Sequence, residues 1–234
     1  MRTLSESDFV AATPPVELGD DEIHLWIFPH CGSGVVARLA TQRCLHETLA
    51  AYLGVDSGDL RIERDDAGKP RLAGGALQFN LSHSGETLLI GLSRTQALGV
   101  DIERGARGRP WLEIAHRYFT AEEAAALAAL PADSLARGFV DLWSAKEAVL
   151  KAIGRGIAFG LDRVGFGLDA AGATRRLVHV ADEAGTPEQW QVVRLSPLPG
   201  VTGALAWRGA DMKLRAFLAA DADATATIHA SCAS

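Results

Sequence analysis

Gly99-Val100-Asp101-Ile102-Glu103 lies where the chain changes character: short alternating segments precede it and a run of helical patterns follows. Side chains of a strand alternate between its two faces, so Val100 and Ile102 point one way and Asp101 and Glu103 the other. Two like charges held that close repel each other, and a bound divalent cation is one way to relieve the repulsion. A solvated strand face gives the same pattern, and an isolated Asp-x-Glu is more often that.

Upstream, residues 1–20 are polar and carry Thr13-Pro14-Pro15, which predicts a loose lead-in with order beginning near Glu22. His24–Phe28 reads as a strand. Leu39, Leu45, Leu49 and Leu53 recur at helical spacings between Val35 and Leu53, with Gly54 as a C-terminal stop. Leu60–Arg64, Leu77–Leu81, Leu88–Leu92 and Ala97–Ile102 read as short strands around loops such as Asp65-Asp66-Ala67-Gly68. Downstream of Gly105 the pattern predicts helices over Trp111–Phe119, Ala121–Leu130 (Thr120 as N-cap) and Ser134–Ile153. Strands return at Arg163–Leu168, Arg176–Val180, Trp190–Leu195 and Gly203–Trp207, and the Ala-rich segment 219–234 is expected to be a disordered tail.

Hydrophobic residues make up 48% and charged residues 22%, which places the chain among folded globular proteins rather than disordered ones. The net charge is −6 and no long Lys or Arg run occurs, which argues against a nucleic-acid-binding footprint. The three cysteines, Cys31, Cys44 and Cys232, match no zinc or disulfide spacing and suit a reducing cytoplasm. No stretch approaches the about 20 apolar residues that span a bilayer, and the first residues lack a secretory pattern.

The second informative segment is Trp143-Ser144-Ala145-Lys146-Glu147-Ala148-Val149-Leu150-Lys151-Ala152-Ile153-Gly154. On a helix Trp143, Glu147 and Lys151 lie four apart on one face. A Glu followed by Lys four residues on is also a common surface pair. The chain has four lysines, however, and Lys146 and Lys151 both fall here. Lysine offers a mobile point charge for a phosphate oxygen, which the planar fork of arginine does not.

The two segments, about forty residues apart, together resemble the signature pair of the 4′-phosphopantetheinyl transferases. Gly68-Lys69-Pro70 and Phe79-Asn80-Leu81-Ser82-His83-Ser84 resemble the two further motifs of the Sfp-type branch, and Arg117-Tyr118-Phe119-Thr120-Ala121-Glu122-Glu123 resembles its R-F/Y-F-S/T-x-x-E segment. The resemblance implies an α+β fold in a single chain of two pseudo-symmetric halves, residues 1–97 and 98–218. Each half would be a helix on a small antiparallel sheet, with the active site in the cleft between them. It implies a monomeric enzyme that transfers the 4′-phosphopantetheine moiety of coenzyme A to a serine of an acyl or peptidyl carrier protein, releasing adenosine 3′,5′-bisphosphate.

By the same resemblance Asp101, Glu103 and Glu147 would hold Mg²⁺, and Lys151 would contact the phosphates of coenzyme A. Ser82 and His83 would also meet the phosphates, and Lys69 with Pro70 would lie along the nucleotide. Glu123 is the candidate base for the serine proton, directly or through a metal-bound water, although a Glu in the first turn after an N-cap Thr is equally a helix cap. Glu147 is a second catalytic candidate. The basic cluster expected in the first helix is absent, which leaves Arg38 and Arg43 for the 3′-phosphate. Trp143 reads as a core anchor. Arg104, Arg107, Arg109 and Trp111 are candidates for receiving an acidic carrier domain. Two rival functions share these residues: a Mg²⁺-dependent diphosphate hydrolase, and a non-catalytic module that binds coenzyme A or a carrier protein.

Overall fold

The computed structural model describes residues 1–32, 34–105, 108–155 and 159–220. The chain is a mixed α and β protein with helices packed on several small sheets. Its first part contains β1 (Arg2–Ser5), β2 (Phe9–Ala12), β3 (Glu22–Phe28), α1 (Gly34–Leu53), β4 (Ile62–Arg64), β5 (Pro70–Leu72), β6 (Gln78–Ser84), β7 (Thr87–Ser93) and β8 (Leu98–Arg104). Three helices follow, α2 (Trp111–Tyr118), α3 (Ala121–Ala128) and α4 (Ala132–Ile153). Strands β9 (Val164–Leu168), β10 (Thr174–Val180), β11 (Trp190–Ser196), β12 (Val201–Arg208) and β13 (Lys213–Ala219) complete it. Every strand and helix expected from periodicity is present, with ends shifted by a few residues.

A five-stranded sheet runs in the order β2-β13-β3-β7-β6, and a four-stranded sheet in the order β1-β11-β12-β8. Their facing sides share one apolar layer in which Ile23, Leu25, Ile27 and Leu89 meet Val100, Ile102, Leu205 and Trp207. On the outer side of the first sheet, Leu45, Leu49 and Tyr52 of α1 pack against Trp26, Phe79, Leu88 and Ile90. On the outer side of the second, α4 packs with α2, α3 and β9 over Ala204 and Ala206. Period-two alternation directs Val100 and Ile102 into the shared layer and turns Asp101 and Glu103 away from it.

Two expectations need correction. The sheets are mixed rather than antiparallel, because β1 pairs parallel with β11, and β13 pairs parallel with both β2 and β3. Strands distant in sequence meet in both sheets: β1 lies with the later strands, and β13 is inserted between two early ones. Residues 1–20 are not a loose lead-in, since β1 and β2 are edge strands anchored by buried Leu4 and Phe9. An edge strand is held by backbone pairing and needs few apolar side chains, so it leaves little periodicity to read. Ala219, assigned to the tail, ends β13, and the Ala220 N–H donates to the Ala12 carbonyl; residues 221–234 lie outside the described residues.

Candidate active site

The site is built where α4 crosses β8. A Cβ on Gly99 would stand 2.1 Å from the carbonyl oxygen of Ala148 and 2.4 Å from the nitrogen of Ala152, so only glycine lets the helix lie this close to the strand. Gly154 ends α4 in the left-handed conformation, φ 83°, and donates its N–H to the carbonyl of Leu150. These two glycines set the height and end of the helix that carries Glu147 and Lys151.

Lys151 Nζ donates to Asp101 Oδ1 at 2.7 Å, to Ser82 Oγ at 3.0 Å and to the carbonyl of Val100 at 3.1 Å. Ser82 Oγ in turn donates to Asp101 Oδ1 at 2.9 Å. Strand β6 therefore supports the acids of β8 from beside it. Its alternate residues do this in series: Asn80 Oδ1 accepts from the Val100 N–H at 2.8 Å, and Ser84 Oγ donates to Glu103 Oε2 at 3.3 Å. Asn80 and Ser84 have no role in the motif as read from sequence, although the spacing Asn80-x-Ser82-x-Ser84 places the three on one strand face. The Ser82 hydroxyl, expected on coenzyme A phosphates, lies between Lys151 and Asp101.

The carboxylates feel one another. Glu147 is pushed up to about 7, first by burial and then by the charge of Asp101, with Lys151 opposing and Glu103 adding. Glu103 is also raised, by burial and by Asp101, against the Ser84 hydrogen bond, Arg109 and Lys151. Asp101 Oδ2 and Glu147 Oε1 are buried and have no hydrogen-bond partner among the described residues. Among those residues no three His, Cys, Asp or Glu side chains are drawn into a ready-made metal site. The ammonium of Lys151 supplies positive charge at Asp101 instead. The residues nevertheless fit a hard divalent cation, because two unpartnered buried carboxylate oxygens in a field of excess negative charge are the donors Mg²⁺ takes.

The other expected residues are spread over several places. Arg38 and His83 line one cavity of about 310 Å³ with Thr41, Glu86 and Thr87; Arg43 instead lines a separate groove with Leu39 and His46. Lys69 Nζ donates to two backbone carbonyls, those of Leu98 and Lys151, and Pro70 opens β5. Arg104, Arg109 and Trp111 line a small cavity of about 90 Å³ with Glu103, Phe139 and Trp143; Arg107 lies outside the described residues. Trp143 stacks on Phe139 at 5.9 Å, as an anchor would.

Glu123 does not join the three acids. Its Oε2 accepts from the Thr120 N–H at 2.9 Å, closing the N-terminal cap of α3, and pairs with Lys146 Nζ at 2.6 Å. Its Oε1 accepts from the Phe166 N–H at 2.7 Å. Lys146 is fully buried, also donates to the carbonyls of Leu161 and Val164, and faces the ring of Phe119. Burial lowers its pKa and Glu123 opposes that shift.

Residues 97–201 match the 4′-phosphopantetheinyl transferase superfamily. The chain is 31% identical over 175 residues to the 4′-phosphopantetheinyl transferase HetI of Nostoc sp., covering 62% of this chain and 74% of that protein. It is 36% identical over 110 residues to the 4′-phosphopantetheinyl transferase Sfp of Bacillus subtilis, covering 46% of this chain and 47% of the relative. A phosphopantetheinyl transferase of Thraustochytrium sp. is 37% identical over 146 residues, or 56% of this chain and 50% of its own length. The matched region contains β8 and α4, the two elements that build the site, and the chain belongs to the 4′-phosphopantetheinyl transferase superfamily.

Proposed function

We propose that the chain transfers the 4′-phosphopantetheine arm of coenzyme A to the serine hydroxyl of an acyl or peptidyl carrier protein. The observation that carries this reading is the Lys151 ammonium, held on Asp101 and Ser82 beside unpartnered carboxylate oxygens of Asp101 and Glu147. In the reaction the serine oxygen bonds to the β-phosphorus, the bond to the bridging oxygen of the α-phosphate breaks, and adenosine 3′,5′-bisphosphate leaves. Asp101, Glu103 and Glu147 are the residues that would hold Mg²⁺, and when bound it supplies charge that neutralises the diphosphate.

Lys151 steadies the charge that develops on the phosphoryl oxygens, at a fixed point that needs no reorganisation. Glu123, the expected base, has both oxygens engaged, Oε2 by Lys146 and the Thr120 N–H and Oε1 by the Phe166 N–H, so it takes the serine proton only if one of these contacts opens. Arg38 and His83 offer donors for the nucleotide phosphates along the cavity they share. Coenzyme A would lie between two halves of a single, monomeric chain. The cavity beside Glu103, with Arg104 and Arg109 at its edge and Trp111 in its wall, would receive the acidic carrier domain. Among the described residues no helix is long and apolar enough to cross a membrane, and the free thiols Cys31 and Cys44 suit a cytoplasmic setting.

Incubation with coenzyme A, Mg²⁺ and a panel of apo carrier domains, read by intact mass, tests the reading. A carrier heavier by one phosphopantetheine arm is expected, and Asp101→Ala or Glu147→Ala should abolish the gain with the thermal midpoint retained. Free phosphopantetheine without carrier gain would establish a hydrolase instead. Binding of coenzyme A with no turnover would establish a binding module.

A further inference from the structure

Lys69 ends a loop that braces itself. Asp65 Oδ1 accepts from the N–H groups of Ala67 and Lys69 at 3.0 and 2.8 Å. The Asp65 N–H donates to the Lys69 carbonyl at 3.0 Å, and Gly68 turns the chain at φ +85°. So fixed, the Lys69 stem runs past Gly154, where an added Cβ would stand 3.7 Å from its Cδ. Its ammonium reaches the carbonyl of Leu98 at 3.0 Å and that of Lys151 at 2.6 Å. The first carbonyl opens β8, three residues before Asp101. The second belongs to Lys151 itself and is one of the last carbonyls of α4, which have no partner within the helix and form its negative end.

We propose that Lys69 is a positioning residue: its ammonium ties the last turn of α4 to the start of β8 and thereby holds Lys151 on Asp101. The inference rests on the transferase reading and deepens it. An ammonium has three N–H donors; two are committed to this tie and one is left over, so the tie does not depend on a further contact by Lys69. Removal of the amine from water lowers it to about 8, as expected for a charge half-buried between carbonyls. The tie matters to chemistry because a displacement of about 1 Å at a reacting centre costs on the order of 100-fold in rate.

Lys69→Met keeps the stem and removes the donors. It is expected to lower kcat for carrier modification about tenfold or more while calorimetric Kd for coenzyme A stays within about threefold, the split that a misplaced transition-state contact produces. Unchanged kcat overturns the inference. So does a tenfold weaker Kd with kcat kept at saturating coenzyme A, which would make Lys69 a phosphate contact. Should the variant not fold, a crystal structure of the wild-type chain with coenzyme A decides. Nζ retained on the carbonyls of Leu98 and Lys151 supports the tie, and Nζ drawn off both carbonyls to a phosphate overturns it. A wild-type chain that modifies no carrier would defeat the transferase reading, whereas Lys69→Met matching an active wild type would defeat the positioning role alone.

Discussion

Glu123 and Lys146 form a buried pair 2.6 Å apart whose remaining hydrogen bonds go to the Thr120 and Phe166 N–H groups and to two carbonyls. Glu123→Ala would leave an ammonium buried without its partner, a loss of about 3–5 kcal/mol, read as a lower urea midpoint. Retained stability with abolished transfer would instead make Glu123 the base. The sequence left base and cap open because both place a Glu three residues after Thr120; only the position of Lys146 separates them. His24 makes folding stability depend on pH. It is fully buried, its Nδ1 lies 2.7 Å from the Tyr52 hydroxyl, and Trp26 Nε1 donates to that hydroxyl at 2.9 Å. Tyr52 therefore donates to a neutral Nδ1, and His24 Nε2–H faces Glu22 at 3.2 Å. Burial lowers the His24 pKa below 6.5, against the pull of Glu22. The unfolded chain then binds the proton first, so this site favours folding fully above pH 6.5 and loses that contribution as pH falls toward the folded value. Urea midpoints should decline over that window in the wild type and more weakly in His24→Gln; equal slopes would remove His24 as the cause.

At the scale of elements, the contact of α4 with β8 rests on one missing methyl group. Gly99→Ala would force a Cβ into the backbone of Ala148 and Ala152. Overpacking of this kind costs about 1–3 kcal/mol, and because the obstacle is backbone, α4 must move as a whole. The expected result is a lower thermal midpoint together with lost transfer, while Gly105→Ala, with open space around it, changes neither. Full activity in Gly99→Ala would show that the close crossing is dispensable. Both elements were legible in the sequence, β8 from its period of two and α4 from spacings of three and four ending at Gly154. Their crossing was not legible, since a glycine at the head of a strand announces freedom but not which backbone will use it. The same holds for β6, whose alternate polar side chains only acquire meaning beside β8.

The whole molecule is closed by strands far apart in sequence. Strand β13 lies between β2 and β3 and buries Ala216, Phe217 and Ala219, with Phe217 stacked on Trp26 at 4.5 Å. A chain stopped before Lys213 would expose one edge of β3 and strip Trp26 of its stacked neighbour. We expect such a chain to be insoluble or to lack a cooperative melting transition; a cooperative melt at the wild-type temperature would contradict the role of β13. What the sequence determined unaided is what short-range rules encode: strand and helix periods, the glycine stop of α4, the cap at Thr120, and the acids and lysine whose spacing matches a known signature. What only the tertiary structure decided is which groups meet. It set Lys151 on Asp101, Lys69 on the end of α4, Glu123 on Lys146, and β1 and β13 each in the sheet built mainly from the far part. These meetings depend on pairing and burial between residues tens to hundreds of positions apart, and side-chain periodicity along one segment carries no record of its distant neighbour.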